Sequence, residues 1–340
     1  MSRFRSKFDV GRLALLAGSV GLILGVAEIW LRLTTPGVDG ETAVIHRRSA
    51  DPELIYELRP GADTIREGVP VRINAQGFRD DPFPTERVEG ELRIVVLGDS
   101  VAAGLGVEMA DAFPQRLERT LRSDPPPGFQ EVQVLNLGVY GYSTTQEIRL
   151  LEARGLDMDP DLVILAYHLN DPDVADAGQA RHFHRSRLAL ANLLGERLRR
   201  LALMNDRREY FHRIHADHAE ETAAHFARLG SISRDHEVAI LVAVLPVFSW
   251  GKNYRWEAIH RRLADLAAAN ELGFVDLRTA LGVYPVQSVS HEAWHPNVRG
   301  HEIIAETLAG RVRETANQDV MLWSPRWTRS AKPGVGDDLD

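Results

Sequence analysis

The stretch Leu92-Arg93-Ile94-Val95-Val96-Leu97-Gly98-Asp99-Ser100 decides how the rest of this chain is interpreted. Its apolar, β-branched residues predict a buried strand, and the last three residues predict the loop that ends it. A serine at the carboxyl end of such a strand lies at the edge where α/β folds place ligands and chemistry. The tripeptide alone is also typical of an ordinary turn, so the role of Ser100 depends on other segments.

Three later polar clusters occupy equivalent positions. Asn136-Leu137-Gly138 ends the strand-like run 132–135, and Asn170-Asp171 follows closely on the run 162–167. Near the C-terminus, Glu292-Ala293-Trp294-His295-Pro296-Asn297 precedes a helical pattern. Because the carboxyl ends of parallel strands meet at one edge of a sheet, we expect these clusters to lie close together.

This order of serine, glycine, asparagine and histidine blocks resembles the SGNH, or GDSL-type, hydrolase superfamily over about residues 90–312. The resemblance implies a nucleophile, Ser100, and a base, His295. It also implies three donors to an oxyanion: the backbone N–H of Ser100, the backbone N–H of Gly138 and the side-chain amide of Asn170. Four ordered motifs are far more specific than any one of them.

Two positions depart from the family pattern. The third block usually begins with glycine, where this chain has His168, and the acid three residues before the base is usually aspartate, where it has Glu292. Glutamate serves as the triad acid in some hydrolases, so we expect Glu292 to orient His295. A backbone carbonyl in its place, or a weakened site, are the alternatives.

The chemistry suits these residue types. A serine hydroxyl is a weak nucleophile until a base takes its proton, and an imidazole titrates near neutral pH. His295 can therefore accept the proton of Ser100 and return it to a leaving alkoxide. Asn170 offers an N–H without adding charge, and Gly138 allows close approach to its backbone.

Strands alternate with helices from residue 92 onward, which predicts a parallel sheet with right-handed crossovers. The expected fold is α/β: a flavodoxin-like three-layer αβα sandwich with strand order 2-1-3-4-5, plus an N-terminal transmembrane helix. We predict four regions along the chain: a cytoplasmic N-terminus and membrane anchor (1–33), a linker with short extended segments (34–90), the hydrolase domain (91–315, with a helical insertion at 172–236) and a C-terminal tail (316–340). The insertion is either an elaborate crossover or a lid beside Asn170.

The N-terminal apolar run suggests a membrane anchor. Residues 13–31 are apolar except for Ser19 and Glu28, close to the ~20 residues that span a bilayer. Because basic flanks stay in the cytoplasm, we expect a single-pass protein of the cytoplasmic membrane whose catalytic domain is periplasmic or extracellular. A cleaved signal peptide and a buried core helix are the alternatives. The basic residues that precede the run are Arg3, Arg5, Lys7 and Arg12.

The composition excludes several classes of protein. The net charge of −8 argues against a general nucleic-acid binder. The chain has no cysteine, so it has neither disulfides nor a thiolate nucleophile. The histidines of the insertion, among them His182, His184 and His212, do not show a convincing metal-ligand pattern, and we expect no metal and no cofactor.

These observations predict a serine esterase that hydrolyses acyl esters, with acetyl esters among them, of a small molecule or of cell-envelope or extracellular carbohydrate. A polysaccharide O-acyltransferase with the same site is one alternative. A non-catalytic carbohydrate-binding or assembly protein on this scaffold is another, although the intact serine, asparagine and histidine argue against it. Arg79, in the turn after the run 69–73, is assigned a structural role, with a substrate contact as the alternative.

Overall fold

The computed structural model describes residues 10–34, 44–84, 86–172, 209–249 and 254–317. Residues 173–208 of the predicted helical insertion and the tail beyond residue 317 lie outside the described residues. The apolar N-terminal run lies in helix α1 (Val10–Thr34). Within the described ranges, no helix combines the length and apolar character needed to cross a membrane, so the predicted transmembrane helix is not supported.

The strands form two hairpins and one larger sheet in the part of the chain that the structure describes. In chain order they are β1 (His46–Arg48), β2 (Tyr56–Leu58), β3 (Asp63–Arg66), β4 (Val69–Arg72), β5 (Glu91–Gly98), β6 (Glu131–Asn136), β7 (Leu162–Tyr167), β8 (Ala239–Val244) and β9 (Gly273–Asp276). The last five build a parallel sheet in the order β6-β5-β7-β8-β9. This order is the predicted 2-1-3-4-5, with β5 at the position of the first predicted strand.

Helices connect these strands and cover both faces of the sheet. They are α2 (Phe113–Ser123), α3 (Thr144–Leu150), α4 (Tyr210–Asp217), α5 (Ala219–His236), α6 (Glu257–Ala269), α7 (Arg278–Leu281), α8 (Val286–Val289) and α9 (Val298–Asn317). Short π and 3₁₀ segments, Leu151–Gly155 and Leu156–Met158, extend α3. Within the predicted insertion, the described part is helical from Tyr210 to His236 except for a break at His218.

Alternate residues of the central strand enter two different apolar cores. Ile94 and Val96 pack in the core that contains residues of α2 and α9, whereas Val95 and Leu97 pack in the core that contains residues of α5 and α6. Successive side chains of a strand point to opposite faces, so a strand buried on both faces is a nearly continuous apolar run. The sandwich therefore has three layers, and the sheet is its middle layer.

The segment 44–84 is packed onto the second of these cores. Ile45, Tyr56 and Phe78 are almost fully buried there. The Tyr56 hydroxyl donates to the carbonyl of Tyr140 at 3.0 Å, and the Tyr142 hydroxyl donates to the carbonyl of Tyr56 at 2.6 Å. These bonds join the N-terminal hairpins to the loop that follows β6.

Candidate active site

Three loops leave the carboxyl ends of β5, β6 and β7 side by side. In each, a partly exposed residue lies between two buried neighbours in sequence. Polar groups that stay open to solvent between buried neighbours are the ones available to a ligand. The three residues are Ser100, Gly141 and Asn170.

Ser100, His295 and Glu292 form one hydrogen-bonded chain. The Oγ of Ser100 lies 2.9 Å from Nε2 of His295. On the other side of the ring, Nδ1 of His295 donates to Oε1 of Glu292. The Nδ1–H bond to the carboxylate leaves the lone pair of Nε2 facing the hydroxyl, which is the arrangement that a general base needs.

The Glu292 carboxylate is held in its ionised form. The hydrogen bond from His295 is the largest cause, and with the backbone N–H of Trp294 it keeps the pKa of Glu292 below its ordinary value. The side chain of Glu292 is 51% exposed, so solvent screens part of this interaction. The longer glutamate thus reaches His295 from the surface of the loop, in the position where the family usually has aspartate.

Backbone bonds shape the base loop before α9. Ser290 and Pro296 form an isolated antiparallel bridge, and the N–H of His291 donates to the carbonyl of His295 at 3.1 Å. The N–H of Phe248, in the loop after β8, donates to the carbonyl of Ala293 at 2.8 Å. A closed turn of this kind brings an acid and a base three residues apart onto the same side.

A buried arginine supports the nucleophile loop. Arg79 is 1% exposed, and its guanidinium donates to four backbone carbonyls. Three of them, those of Ala103, Gly104 and Val107, belong to the loop that Ser100 opens, and the fourth is that of Pro70. A planar fork with five donors suits this arrangement, because buried carbonyls must be paired. Arg79 has the predicted structural role, since burial keeps it from contacting substrate.

Asn136 joins the loops that follow β5 and β6. Its Nδ2 donates to the carbonyl of Ala102 at 2.9 Å, and its Oδ1 accepts the N–H of Gly138 at 3.0 Å. A Cβ on Gly138 would lie 2.6 Å from the backbone nitrogen of Ala103. Gly138 is therefore required for close packing, and its N–H is already engaged. The N–H that the sequence analysis assigned to an oxyanion is thus bonded to the side chain of Asn136 in this structure.

Gly141, in the same loop, has a free backbone N–H that the sequence analysis did not consider. The N–H of Tyr142 donates to the carbonyl of Val139, which closes a four-residue turn with Gly141 in third place. The φ of Gly141 is 77°, the positive value that this position of a type II turn requires. Among the described residues its N–H has no acceptor. The sequence could have suggested this donor, because a second glycine, Gly141, follows Gly138 by three residues.

The backbone N–H of Ser100 likewise has no acceptor within the described part of the chain. The side-chain oxygen of Asn170 accepts from Nδ1 of His168, which leaves the amide N–H groups of Asn170 for another partner. Ser100, Gly141 and Asn170 thus each offer a free donor at the same edge of the sheet. Such donors are what a developing oxyanion needs.

Buried carboxyls lie behind these loops. Asp171 accepts the backbone N–H of His168 at 3.0 Å, and Asp99 accepts that of Val101 at 2.9 Å, so both order their loops. Burial raises the pKa of Asp171 and of Glu147 well above the ordinary value of a carboxyl group. In the described ranges, no cluster of histidine and acidic side chains is arranged to hold a metal ion.

A family model described as the GDSL-like lipase/acylhydrolase family matches residues 96–303, which include all of the loops described above. A comparison with curated proteins finds no match.

Several solved structures match part of this chain. The crystal structure of TesA has 19% sequence identity and a TM-score of 0.44, and the match covers 65% of this chain and 98% of that chain. A lipase/acylhydrolase from Enterococcus faecalis has 18% identity and a TM-score of 0.42, over 66% and 96% of the two chains. A two-domain esterase, CEX, active on acetylated mannans, has 16% identity and a TM-score of 0.43, over 68% and 52%.

Proposed function

This chain belongs to the GDSL-like lipase/acylhydrolase family and is an ester hydrolase of the SGNH type, and from that premise we propose that it acts through an acyl-enzyme on Ser100. The observation that carries the proposal is the chain of hydrogen bonds from Ser100 Oγ to His295 Nε2 and from His295 Nδ1 to Glu292. Each member has the partner that its role requires.

In the proposed reaction, Oγ of Ser100 attacks the carbonyl carbon of the ester while Nε2 of His295 takes the hydroxyl proton. Glu292 stabilises the imidazolium that forms. The carbonyl oxygen becomes an oxyanion, which the N–H groups of Ser100, Gly141 and Asn170 stabilise. The tetrahedral intermediate then expels the alkoxide, which takes the proton back from His295.

Deacylation repeats these steps with water as the nucleophile. His295 takes a proton from water, the resulting hydroxide attacks the acyl carbon, and Ser100 leaves as the protonated alcohol. The products are a carboxylic acid and the regenerated enzyme. The cycle uses groups of this chain and one water, with no cofactor in any step.

The decisive experiment compares the wild type with Ser100→Ala. A fluorophosphonate probe should label Ser100 in the wild type, and loss of the nucleophile should lower kcat for 4-nitrophenyl acetate by roughly 10⁴-fold or more. Ser123→Ala, at the exposed end of α2, is the matched control and should retain full activity. Labelling of a different serine, with activity retained in Ser100→Ala, would refute the assignment.

The last part of the proposal concerns the acyl group and the alcohol of the ester substrate. We infer an acetyl ester of a carbohydrate as the substrate, and a series of 4-nitrophenyl esters from acetate to decanoate, followed by acetylated oligosaccharides, tests this preference. Added sugar acceptors should leave the yield of free acid unchanged for a hydrolase. Transfer of the acyl group to the sugar would favour the acyltransferase instead.

A further inference from the structure

His168 is a buried polar ring in the candidate site without a role in the reaction described above. It is 1% exposed and lies in the loop after β7, where it packs on the loop that carries His295. Its Nδ1 donates to Oδ1 of Asn170, while its Nε2 has no partner among the described residues. Burial lowers the pKa of His168, so the ring is neutral near pH 7. One ring nitrogen therefore carries the proton, and its position matters.

The contacts identify that nitrogen. The side-chain oxygen of Asn170 is only an acceptor, so its contact with Nδ1 of His168 is a hydrogen bond when Nδ1 carries the ring proton. The backbone N–H of Asn170 also lies 3.5 Å from Nδ1, but this distance is at the outer limit of a hydrogen bond. In this arrangement the neutral ring is protonated at Nδ1. Its unpartnered Nε2 is a lone pair rather than an orphaned N–H.

This bond controls the direction of the Asn170 amide. An amide has an acceptor on one side and two donors on the other. Because Oδ1 faces His168, the NH₂ group faces away from the ring. An amide rotated by 180° would instead place its N–H donors against Nδ1, and this arrangement would require the ring to carry its proton on Nε2. With the proton on Nδ1, the bond therefore selects the orientation in which Asn170 can donate to an oxyanion.

The same ring contacts the base loop. His168 stacks on Trp294 with ring centres 5.7 Å apart and an angle of 23° between the planes. Trp294 directly precedes His295, and its backbone N–H donates to Glu292. Phe211, at the start of α4, packs on Trp294 at 5.1 Å. His168 is therefore the point where the loop after β7 meets the loop that carries the base.

We propose that His168 is a positioning residue, which orients the Asn170 amide through its Nδ1–H and holds the oxyanion loop against the base loop through its stack on Trp294. The inference rests on the proposed function, since it gives Asn170 the oxyanion role. It predicts that the ring acts through Asn170 and does not touch the substrate.

Two variants separate the hydrogen bond from the packing. His168→Phe keeps a ring that can stack on Trp294 but has no N–H, whereas His168→Asn keeps an N–H attached at the γ carbon but has no ring. If the bond orients Asn170, His168→Phe should lower kcat by ~10-fold or more with little change in KM, part of the ~10²–10³-fold effect of losing an oxyanion donor. His168→Asn should retain more activity than His168→Phe.

A double-mutant cycle shows whether the effect passes through Asn170. In an Asn170→Ala background, where the amide is already absent, His168→Phe should have almost no further effect on kcat. Independent, multiplicative losses in the double variant would overturn the inference. Equal activity of His168→Phe and His168→Asn would also overturn it, because packing alone would then explain the loss.

A measurement without substrate keeps this inference distinct from the proposed mechanism. The ¹⁵N resonances of His168 in the full-length protein, at neutral pH, report which ring nitrogen carries the proton. A proton on Nδ1 supports the inference, and a proton on Nε2 refutes it whatever the activity. Absence of esterase activity and of Ser100 labelling in the wild type would instead refute the proposed function.

Discussion

The loop that carries the nucleophile and the loop that carries the base are held by different means. Around Ser100, the support is a guanidinium buried to within 1% of its surface, that of Arg79, bonded to four carbonyls. Around His295, the polar support is a carboxylate whose side chain is 51% exposed, that of Glu292, together with a few backbone bonds.

Because of this difference, substitutions in the two loops should affect the folding free energy and the activity to different degrees. A buried donor that loses its partners leaves unsatisfied groups and costs folding free energy, whereas an exposed ion pair contributes little to stability. Changes that support the nucleophile should therefore weaken the fold as well as the activity. Changes in the acid of the base loop should weaken the activity alone.

The largest expected effect is that of Glu292→Gln. It keeps the shape and removes the charge that stabilises the imidazolium, so kcat should fall by ~10²–10³-fold, below the ~10⁴-fold that loss of a triad acid can cost. The free energy of unfolding should change by less than ~0.5 kcal/mol, because the side chain is half exposed. Glu302→Gln, which breaks an exposed i, i+3 pair with Arg299 on α9, is the matched control for charge.

Glu292→Asp sharpens the same test. The aspartate is one methylene shorter in a loop whose geometry fits glutamate, so kcat should fall at least ~10-fold, or ~1.4 kcal/mol of barrier. An increase in kcat would mean that glutamate holds the ring poorly. If Glu292→Gln and Glu292→Asp both leave kcat unchanged, another group orients His295. The exposed acid of the base loop would then have no role in catalysis.

The second expected effect concerns the nucleophile loop. Arg79→Lys keeps the charge but replaces a planar fork with a single ammonium, which cannot reach four carbonyls in different directions. Leaving one or two buried carbonyls unpaired should cost ~2–4 kcal/mol of unfolding free energy, measured by urea denaturation. Arg72→Lys, on the exposed β4, should be neutral. If Arg79→Lys leaves the unfolding free energy unchanged, the two loops tolerate the loss of their polar support equally well.

The smallest effect extends the comparison to the loop of Asn170. The Nε2 of His215 on α4 donates to the carbonyl of Leu169 at 3.0 Å, and burial lowers the pKa of His215 to about 4. The unfolded chain takes up its proton near the ordinary value, ~6.5, before the folded chain does. Stability should therefore be complete above that value and decline as pH falls from ~6.5 to ~4.

This histidine contributes at most ~1.4 kcal/mol per pH unit to that decline. His215→Gln can keep the N–H to Leu169 without the titration, so its unfolding free energy should decline less steeply on acidification. His236→Gln, at the exposed end of α5, is the matched control for loss of a histidine. An identical slope in His215→Gln and the wild type would contradict the assignment of this proton.

Much of the fold follows from local patterns in the sequence. Each sheet strand contains a short apolar run, and parallel connection by helices leaves few possible arrangements, so the order β6-β5-β7-β8-β9 matches the prediction. The N-terminal apolar run differs: its composition predicts a membrane span, whereas no helix within the described residues has the length and apolar character to cross a membrane. The extended segments at 44–84 could be predicted, but not that they pack on the core.

The sequence by itself determined which residues could perform the chemistry: a serine at a strand end, an asparagine at the next but one strand, and a histidine three residues after an acid. The tertiary structure decided which of their groups are free. Gly138 and Gly141 are equally plausible in the sequence, but the side chain of Asn136 engages the N–H of the first, and a turn leaves that of the second unpaired. Both bonds are local in sequence, but the side chain of Asn136 is held in place by its bond to the carbonyl of Ala102, 34 residues away in the chain, so motif spacing alone cannot predict which N–H is engaged.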